Sequence, residues 1–223
     1  MSRARLADVI LPAIDPATWG PSIDAAVHAV ERGGAVVFPT DTLYGIGCDA
    51  FQPEAVEAIL AAKGRGREMP PPVLIPAAGT VDGIARDVPD AVRTLMDAFW
   101  PGPLTIIVHA QPSLTWDLGE TGGTVAVRVP EHPVALALLL RTGPMAVTSA
   151  NRTGGPPATT VEGAEWQLGS SVAVYLDGGT TPIGQPSTII DATNAKLRVV
   201  REGALHRDEI AAVAGVPIEG GAA

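Results

Sequence analysis

The chain has 223 residues, 46% of them hydrophobic, and a formal net charge of −9. It can bury one sizeable core, and it contains no apolar run of about 18 residues that would predict a membrane span. The acidic charge argues against tight nonspecific binding to nucleic acid, which depends on Lys and Arg. A single cysteine, Cys48, excludes an intramolecular disulfide, and Asp8 interrupts the apolar core that a signal peptide would need. We therefore expect a soluble cytoplasmic protein.

Helices and strands are interspersed in the first half of the chain. Residues 1–18 are interpreted as an irregular lead-in, after which Ser22 is expected to cap a helix that ends at Gly33. The next predicted elements are a buried strand at 35–38, a helix over 53–63, a helix within 88–102 and a strand at 104–110.

The second half of the chain continues this alternation. Thr159 and Glu162 form a capping-box pattern that is expected to open a helix. The other predicted elements are strands at 124–130, 145–150, 172–179, 187–192 and 196–203 and helices at 132–143 and 207–215. The last two strands are expected to form a hairpin, and a Gly/Ala tail closes the chain. The pattern predicts one α/β domain with a mixed, twisted open sheet.

Polar side chains follow or open four of the predicted strands, where α/β sheets place their sites. These side chains are Thr40, Asp41 and Thr42 after the first strand, Arg128 near the end of "TVAVRVP", Thr148, Ser149 and Asn151 in "MAVTSAN", and Ser187 and Thr188 at the start of "STIID". Hydroxyls, amides and fixed cations of this kind suit phosphates and a carboxylate held by hydrogen bonds.

A short basic cluster adds a second candidate feature. Lys63, Arg65 and Arg67 fall within five residues, and the chain has only one further lysine, Lys196. The cluster is either a solvated loop or an anion site, and its composition alone leaves both open. No P-loop, dinucleotide-binding glycine motif, nucleophile elbow or histidine spacing typical of a metal site is present, so no protein-bound metal is predicted.

Taken together, these segments closely resemble the YrdC/TsaC family of threonylcarbamoyl-AMP synthases. The matching motifs run in family order and are "FPTDTLYGIGCDA", "KGR", "WPGPLT", "VAVRVP", "TSANRTGGPP", "PSTIID" and "LRVVREG". The resemblance implies a single YrdC-like domain over residues 20–207, with terminal extensions at 1–19 and 208–223. The implied fold is a twisted open mixed sheet with flanking helices and a concave, positively charged face. Longer relatives add a C-terminal domain, and the resemblance groups this chain with the short form.

The reaction implied by the resemblance is a nucleotidyl transfer. L-threonine, bicarbonate and ATP give threonylcarbamoyl-AMP and pyrophosphate, with Mg²⁺ entering with ATP, and a partner transferase then modifies an adenosine of tRNA. At most a weak or transient contact with tRNA is implied, and none with membranes. The resemblance assigns site residues in three sets: a catalytic tetrad of Lys63, Arg65, Ser149 and Asn151; threonine contacts from Thr40, Arg128 and Ser187; and ATP contacts from Lys63, Arg67, Thr124, Ser149 and Arg201.

One departure from the family pattern and two alternative functions accompany this assignment. Met69 stands near the position where many members carry a second basic residue, and Arg67 is the candidate replacement. One alternative is a module that binds double-stranded RNA or tRNA, which the net charge of −9 disfavours. The other is a carbamoyl-transfer enzyme of the hydrogenase-maturation type, whose cysteine-rich zinc motifs this chain lacks.

Overall fold

The computed structural model describes residues 10–220. The helices within that range are α1 (Gly20–Glu31), α2 (Pro53–Lys63), α3 (Val81–Ile84), α4 (Asp90–Phe99), α5 (Pro133–Thr142), α6 (Val161–Leu168) and α7 (Arg207–Ala214). The strands are β1 (Ile10–Pro12), β2 (Val36–Pro39), β3 (Tyr44–Asp49), β4 (Val73–Leu74), β5 (Ala85–Arg86), β6 (Leu104–Ala110), β7 (Thr124–Arg128), β8 (Met145–Ser149), β9 (Val174–Asp177), β10 (Thr188–Asp191), β11 (Leu197–Arg201) and β12 (Ile218–Gly220).

All of these strands join one mixed sheet, which confirms the predicted α/β class. The order across the sheet is β1-β9-β2-β3-β8-β4-β7-β6-β10-β11-β12, and β5 pairs with β6 outside this path. The predicted hairpin between β10 and β11 is present as an antiparallel pair. Because β2 and β8 both pair antiparallel with β3, they run in one direction, and β7 runs in the other.

The two faces of the sheet are covered unequally. On one face, apolar side chains of α2, α4, α6 and α7 pack with the sheet in a large core that includes Ile106 and Val127. On the other face, α1 and α5 form a smaller core over β2, β8 and β9, which includes Phe38 and Met145. Neither of these two helices contributes to a core over β6, β7 and β10 on that face, and the candidate site lies there.

Two helix starts differ from the sequence-based expectation. Helix α1 begins at Gly20, two residues before Ser22, and the Ser22 hydroxyl instead donates to the Pro12 carbonyl oxygen at 2.7 Å, which ties α1 to β1. Helix α6 is capped by Thr160 rather than Thr159, since the Thr160 hydroxyl accepts from the Gly163 amide at 3.3 Å. Helix α1 therefore has Trp19 at its N-cap and no side-chain cap.

Strand β3 was missed because two glycines interrupt it. A Cβ atom on Gly45 would lie 2.7 Å from one methyl group of Val147, and a Cβ on Gly47 would lie 2.8 Å from the other. The two glycines therefore let β8 pack its Val147 against β3. Both glycines lie within the strand and not in a turn.

Parts of the predicted terminal extensions belong to the sheet. Strand β1 pairs with β9, so the lead-in is not irregular at residues 10–12, and β12 pairs with β11 at the other edge. The rest of the lead-in before Ile10 and the end of the Gly/Ala tail lie outside the described residues. Within residues 10–220, no helix has the length and apolar character needed to cross a membrane.

Candidate functional site

A pocket of about 510 Å³ lies on the part of the sheet face that α1 and α5 leave open. Alternate residues of the strands face it: Thr105 and Ile107 from β6 line the pocket, while Ile106 between them belongs to the large core. Ala126 and Arg128 of β7 line it in the same way, as their spacing predicted. The strands run in both directions, so the polar residues meet over a face of the sheet rather than at one edge.

Most of the sequence-predicted site residues line this pocket. They are Thr40, Arg65, Thr124, Arg128, Ser149, Asn151, Ser187 and Arg201. Of the residues that the family resemblance assigned to the site, Lys63 and Arg67 are the two that do not contribute to its lining. Met69 lines the pocket from the loop before β4 and is 39% exposed, so a flexible apolar side chain occupies the wall where a second basic residue was expected.

Arg128 is buried and fully oriented by its neighbours. Its Nε donates to the Gly102 carbonyl oxygen at 2.9 Å, one terminal nitrogen donates to the Thr42 hydroxyl at 2.9 Å, and the other contacts an Asp41 carboxylate oxygen at 2.5 Å. Burial lowers the Arg128 pKa and the charge of Asp41 opposes this. Of the five N–H groups of a guanidinium, these contacts leave two for a ligand.

The ion pair between Arg128 and Asp41 was not anticipated. Strand β7 contains no acidic residue, and Asp41 reaches Arg128 from the loop after β2. Asp41 is only 2% exposed, and its second carboxylate oxygen is buried without a hydrogen-bond partner among the described residues. The role of Arg128 in binding a carboxylate stays a prediction, and its charge is already partly balanced by Asp41.

Thr40 and Thr42 connect this ion pair to the pocket wall. Their hydroxyl oxygens are 3.0 Å apart, and the Thr40 hydroxyl donates to the Leu43 carbonyl oxygen at 2.6 Å. The amide of Leu43 in turn lies 3.2 Å from the Thr40 oxygen, which closes a tight turn after β2. The "TDT" segment therefore fixes two hydroxyls and one carboxylate around the guanidinium of Arg128.

Ser187 sits in a second polar network at the opposite wall. Its hydroxyl is 2.8 Å from the hydroxyl of Thr105, a residue that is 1% exposed. Arg201 donates to the Ser187 carbonyl oxygen at 2.7 Å and to its hydroxyl at 3.2 Å. Ser187 is thus held from two strands, β6 and β11, just before β10 begins.

Three guanidinium groups converge on the pocket. Desolvation lowers the pKa of Arg201, and the positive charges of Arg128 and Arg65 lower it further. Desolvation also lowers the pKa of Arg65, while Glu68 acts in the opposite direction. Within residues 10–220, neither Arg65 nor Arg201 forms a salt bridge. Mutual repulsion of this kind favours binding of an anion between the groups.

Arg65 reaches the pocket because the chain turns sharply after α2. Gly64 adopts the left-handed conformation with φ of 63°, and the Arg65 amide donates back to the Leu60 carbonyl oxygen at 2.9 Å. The Arg65 side chain then donates to the Thr148 hydroxyl at 2.9 Å, and its Nε is buried without a partner among the described residues. A buried donor on a pocket wall that has no protein partner is available to bind a ligand.

Arg67 faces away from this pocket. Its guanidinium donates to both carboxylate oxygens of Asp117, at 2.7 and 2.9 Å, and both side chains are about half exposed. Its carbonyl oxygen also accepts from the Glu120 amide at 2.9 Å. Arg67 therefore joins the loop before β4 to the loop before β7, and its assignment to ATP stays a prediction.

Asn151 lies in a loop with many internal hydrogen bonds. Its side-chain nitrogen donates to the carbonyl oxygens of Arg152 and Gly155, both at 3.0 Å. The side chain of Gln167 accepts from the Arg152 amide at 3.1 Å and donates to the Pro156 carbonyl oxygen at 3.0 Å. Side chains of the protein itself therefore hold this "NRTGGPP" loop in place.

Sequence reasoning named Asp41 and Thr42 as polar residues after the first strand but did not pair them with Arg128, and it missed Thr105. Arg128 is distant in sequence from the "TDT" run, so no local pattern indicates these contacts. Thr105 lies in the largely apolar segment "LTIIVHA". A polar residue at an alternate position of a predicted buried strand is the signal that could have identified it.

The mixed-sheet fold and a pocket lined by hydroxyl and guanidinium groups define an α/β protein suited to a ligand rich in anionic oxygens. The chain belongs to the Sua5/YciO/YrdC family, whose model, described as "Telomere recombination", matches residues 28–203.

Individual relatives agree with this membership. A protein of Mycobacterium tuberculosis (strain ATCC 25618 / H37Rv) is 51% identical over 202 residues, covering 91% of this chain and 93% of that protein. The threonylcarbamoyl-AMP synthase of Bacillus subtilis (strain 168) is 36% identical over 89% of this chain and 58% of its own length. The crystal structure of P. abyssi Sua5 complexed with L-threonine is 32% identical and superposes with a TM-score of 0.89, covering 95% of this chain and 62% of that chain.

Proposed function

We propose that this chain is a threonylcarbamoyl-AMP synthase that forms L-threonylcarbamoyladenylate and pyrophosphate from L-threonine, bicarbonate and ATP. The observation that carries the proposal is the close superposition, with a TM-score of 0.89, on a Sua5 chain whose crystal structure contains L-threonine. The pocket supports it, because hydroxyl and guanidinium groups surround a volume of about 510 Å³, which is within the size range of small-molecule sites.

The chemistry needs little from the protein beyond positioning and charge. The threonine amine and bicarbonate condense to a carbamate with loss of water. A carbamate oxygen then attacks the α-phosphorus of ATP, and a new P–O bond forms as the bond to pyrophosphate breaks. Since a carbamate is already a nucleophile, no general base is required. Negative charge accumulates on the phosphate oxygens, and fixed cations stabilise it.

We assign the threonine end of the pocket to Thr40, Arg128 and Ser187. The two free N–H groups of Arg128 can bind a carboxylate, and Asp41 with Thr42 fixes the plane in which they point. Ser187 is held in place by Thr105 and can direct its hydroxyl toward the same ligand.

We assign the ATP end to Arg65, Thr124, Ser149 and Arg201. Arg65 and Arg201 are the two guanidiniums on the pocket wall without a salt bridge in the described part of the chain, so they supply net positive charge toward a triphosphate. The Thr124 hydroxyl donates to the Thr121 carbonyl oxygen at 2.8 Å and keeps its acceptor capacity for a ligand.

The magnesium ion enters with ATP in this proposal. The described residues contain no group of three or more His, Cys, Asp or Glu side chains that could hold a metal ion. The phosphates would therefore supply most of its ligands, with water completing the shell. The product, a mixed anhydride, would pass to a tRNA threonylcarbamoyl transferase. Any contact of this acidic chain with tRNA would be weak or transient.

The test is an assay of the purified protein with ATP, Mg²⁺, bicarbonate and single amino acids, with detection of the adenylate by mass. We expect adenylate with threonine and none without bicarbonate. Arg65→Ala and Arg67→Ala form a matched pair, two residues apart in sequence. We expect the Arg65 variant to lower kcat/KM for ATP at least about tenfold, which is about 1.4 kcal/mol, and the Arg67 variant to have a much smaller effect.

Absence of any adenylate from the folded wild-type protein would overturn the proposed function. The two alternatives from the sequence would then return, a module that binds RNA and a carbamoyl-transfer enzyme. Retention on tRNA as a function of salt, with and without ATP, would identify the first.

A further inference from the structure

Lys63 makes three hydrogen bonds to the turn that follows β8. Its ammonium group donates to the carbonyl oxygens of Ser149 and Asn151, the latter at 2.5 Å. Its own carbonyl oxygen accepts from the Thr153 amide at 2.9 Å. In sequence, Lys63 lies 86 positions before Ser149 and 88 positions before Asn151. Lys63, at the end of α2, therefore contacts the turn at residues 149–153 through both its side chain and its backbone.

The location of Lys63 distinguishes it from the other cations of the site. It is 3% exposed and does not contribute to the pocket lining, whereas Arg65, two residues further on, does. Within residues 10–220, Lys63 forms no salt bridge with a carboxylate. Its side-chain partners among the described residues are the two carbonyl oxygens, and they accept well-directed bonds from an amine.

The turn that Lys63 holds presents residues of the site. Ser149 and Asn151 both line the pocket. The far side of the loop has its own support from Gln167, which bonds to Arg152 and Pro156. On the near side, the Asn151 amide donates to the Ser149 carbonyl oxygen at 2.9 Å and the Ala150 amide donates to the Tyr44 carbonyl oxygen at 2.8 Å, and Lys63 adds the bonds that join this turn to the end of α2.

We infer that Lys63 is a positioning residue, which holds the turn at 149–153 so that Ser149 and Asn151 face the nucleotide, and that its ammonium group acts through this turn rather than on the triphosphate. The inference differs from the sequence-based assignment of Lys63 as an ATP ligand. Only the kinetic consequences of this inference rest on the proposed function. The hydrogen bonds between Lys63 and the turn do not depend on which ligand the pocket binds.

The chemistry of an amine allows the two roles to be separated. A protonated lysine carries three N–H groups and a neutral one carries two, so both carbonyl bonds survive deprotonation. Burial, followed by the positive charge of Arg65, lowers the pKa of Lys63 to about 8. A positioning lysine keeps its function above that pH, whereas a lysine that neutralises phosphate charge loses it.

The first measurement is amide hydrogen exchange of the ligand-free protein in the segment 149–155. Lys63→Met keeps most of the apolar stem and removes every N–H group, and Lys196→Met is the matched control at the other lysine, whose side chain is 73% exposed. We expect exchange in this segment to be about tenfold faster in the Lys63 variant and unchanged in the control. Unchanged exchange in a folded Lys63→Met protein would overturn the inference.

The second measurement uses the wild-type protein and so does not depend on the folding of a variant. We expect the KM for ATP to stay constant within about twofold between pH 7 and 9.5, because the neutral amine retains both bonds. A rise of about tenfold per pH unit above the pKa of Lys63 would assign its charge to the triphosphate and overturn the inference. A wild-type protein that makes no adenylate would instead refute the proposed function, and the exchange result would stand by itself.

Discussion

The two halves of one sheet face differ in what covers them. Over β2 and β8, helices α1 and α5 bury Phe38 and Met145 in an apolar core. Over β6 and β7, the same face carries Thr105 and Arg128, which line a pocket. Both halves show the alternation of a strand between two environments. The alternation of side chains along the strands is therefore the same in both halves. The covered half differs from the half with the pocket in whether the side chains on this face are apolar or polar.

This difference explains how a site can form on an acidic chain. The net charge of −9 is a property of the whole sequence, whereas three arginines are concentrated on the open half. One of them, Arg128, is neutralised by Asp41, and two have no salt bridge within the described residues. Local charge at a pocket can thus oppose the sign of the protein as a whole.

The largest expected effect lies in the open half. Arg128→Met would leave Asp41 buried without its partner, and we expect the free energy of unfolding to fall by about 3–5 kcal/mol. The double variant Asp41→Asn with Arg128→Met should recover part of this loss, because it removes the uncompensated charge. Denaturant unfolding of the three proteins checks both results. A loss below about 1 kcal/mol in the single variant would show that the pair is not buried in solution.

A substitution in the covered half should lower the free energy of unfolding and leave the KM values unchanged. Leu138 of α5 is 0% exposed, so Leu138→Ala should cost about 2–5 kcal/mol through the cavity that it leaves. The matched control is Leu140→Ala on the same helix, whose side chain is 72% exposed and whose replacement should change stability by less than about 0.5 kcal/mol. The KM values for ATP and threonine should be unchanged in both variants. A change in either KM for Leu138→Ala would mean that the two halves are coupled.

Lys63 lies at the border of the open half, and we expect its ionisation to make the free energy of unfolding depend on pH. Its pKa is lowered from 10.5 to about 8 in the folded protein, so between these values the unfolded chain binds more protons and stability rises with pH. Relative to Lys63→Met, the wild-type protein should gain up to about 3 kcal/mol over this range. The raised pKa values of Tyr44 and Tyr175 act in both proteins and cancel in the difference. A difference that does not change with pH would contradict the burial of the amine.

The smallest expected effect tests a local feature of the fully covered face. Thr160→Ala removes the hydroxyl that caps α6, and we expect a loss of about 1 kcal/mol in the free energy of unfolding. Thr159→Ala should change it by less than about 0.5 kcal/mol, although the sequence pattern had assigned the cap to Thr159. Thermal unfolding of the two variants side by side checks the order. The reverse order would restore the capping box of the sequence-based prediction.

Local patterns predicted much of the fold. Pro53 and Lys63 bound α2 as expected, and the strands β6, β7 and β8 lie where apolar runs placed them. The pattern failed where tertiary contacts decide the outcome. Strand β4 has two residues and is defined by its neighbours, and β3 contains glycines that only the packing of Val147 explains.

The site was predictable in composition but not in arrangement. Motif matching selected residues that mostly line one pocket, because the residues of a motif share a location in the fold. It could not give the direction of a side chain, so Lys63 and Arg67 were grouped with Arg65 although neither contributes to the pocket lining. It also could not find Asp41 as the partner of Arg128, since the two are 87 positions apart.

The contact between β3 and β8 has a consequence for how the sequence can vary. The two methyl groups of Val147 occupy the space that a Cβ on Gly45 or Gly47 would need. Alanine at either glycine would require a smaller residue at 147, and a larger residue at 147 would meet the backbone of β3. The three positions therefore form one epistatic unit, in which a substitution tolerated with one partner is harmful with another. A library that varies them jointly should contain functional combinations in which a glycine replacement is tolerated only together with a smaller residue at 147.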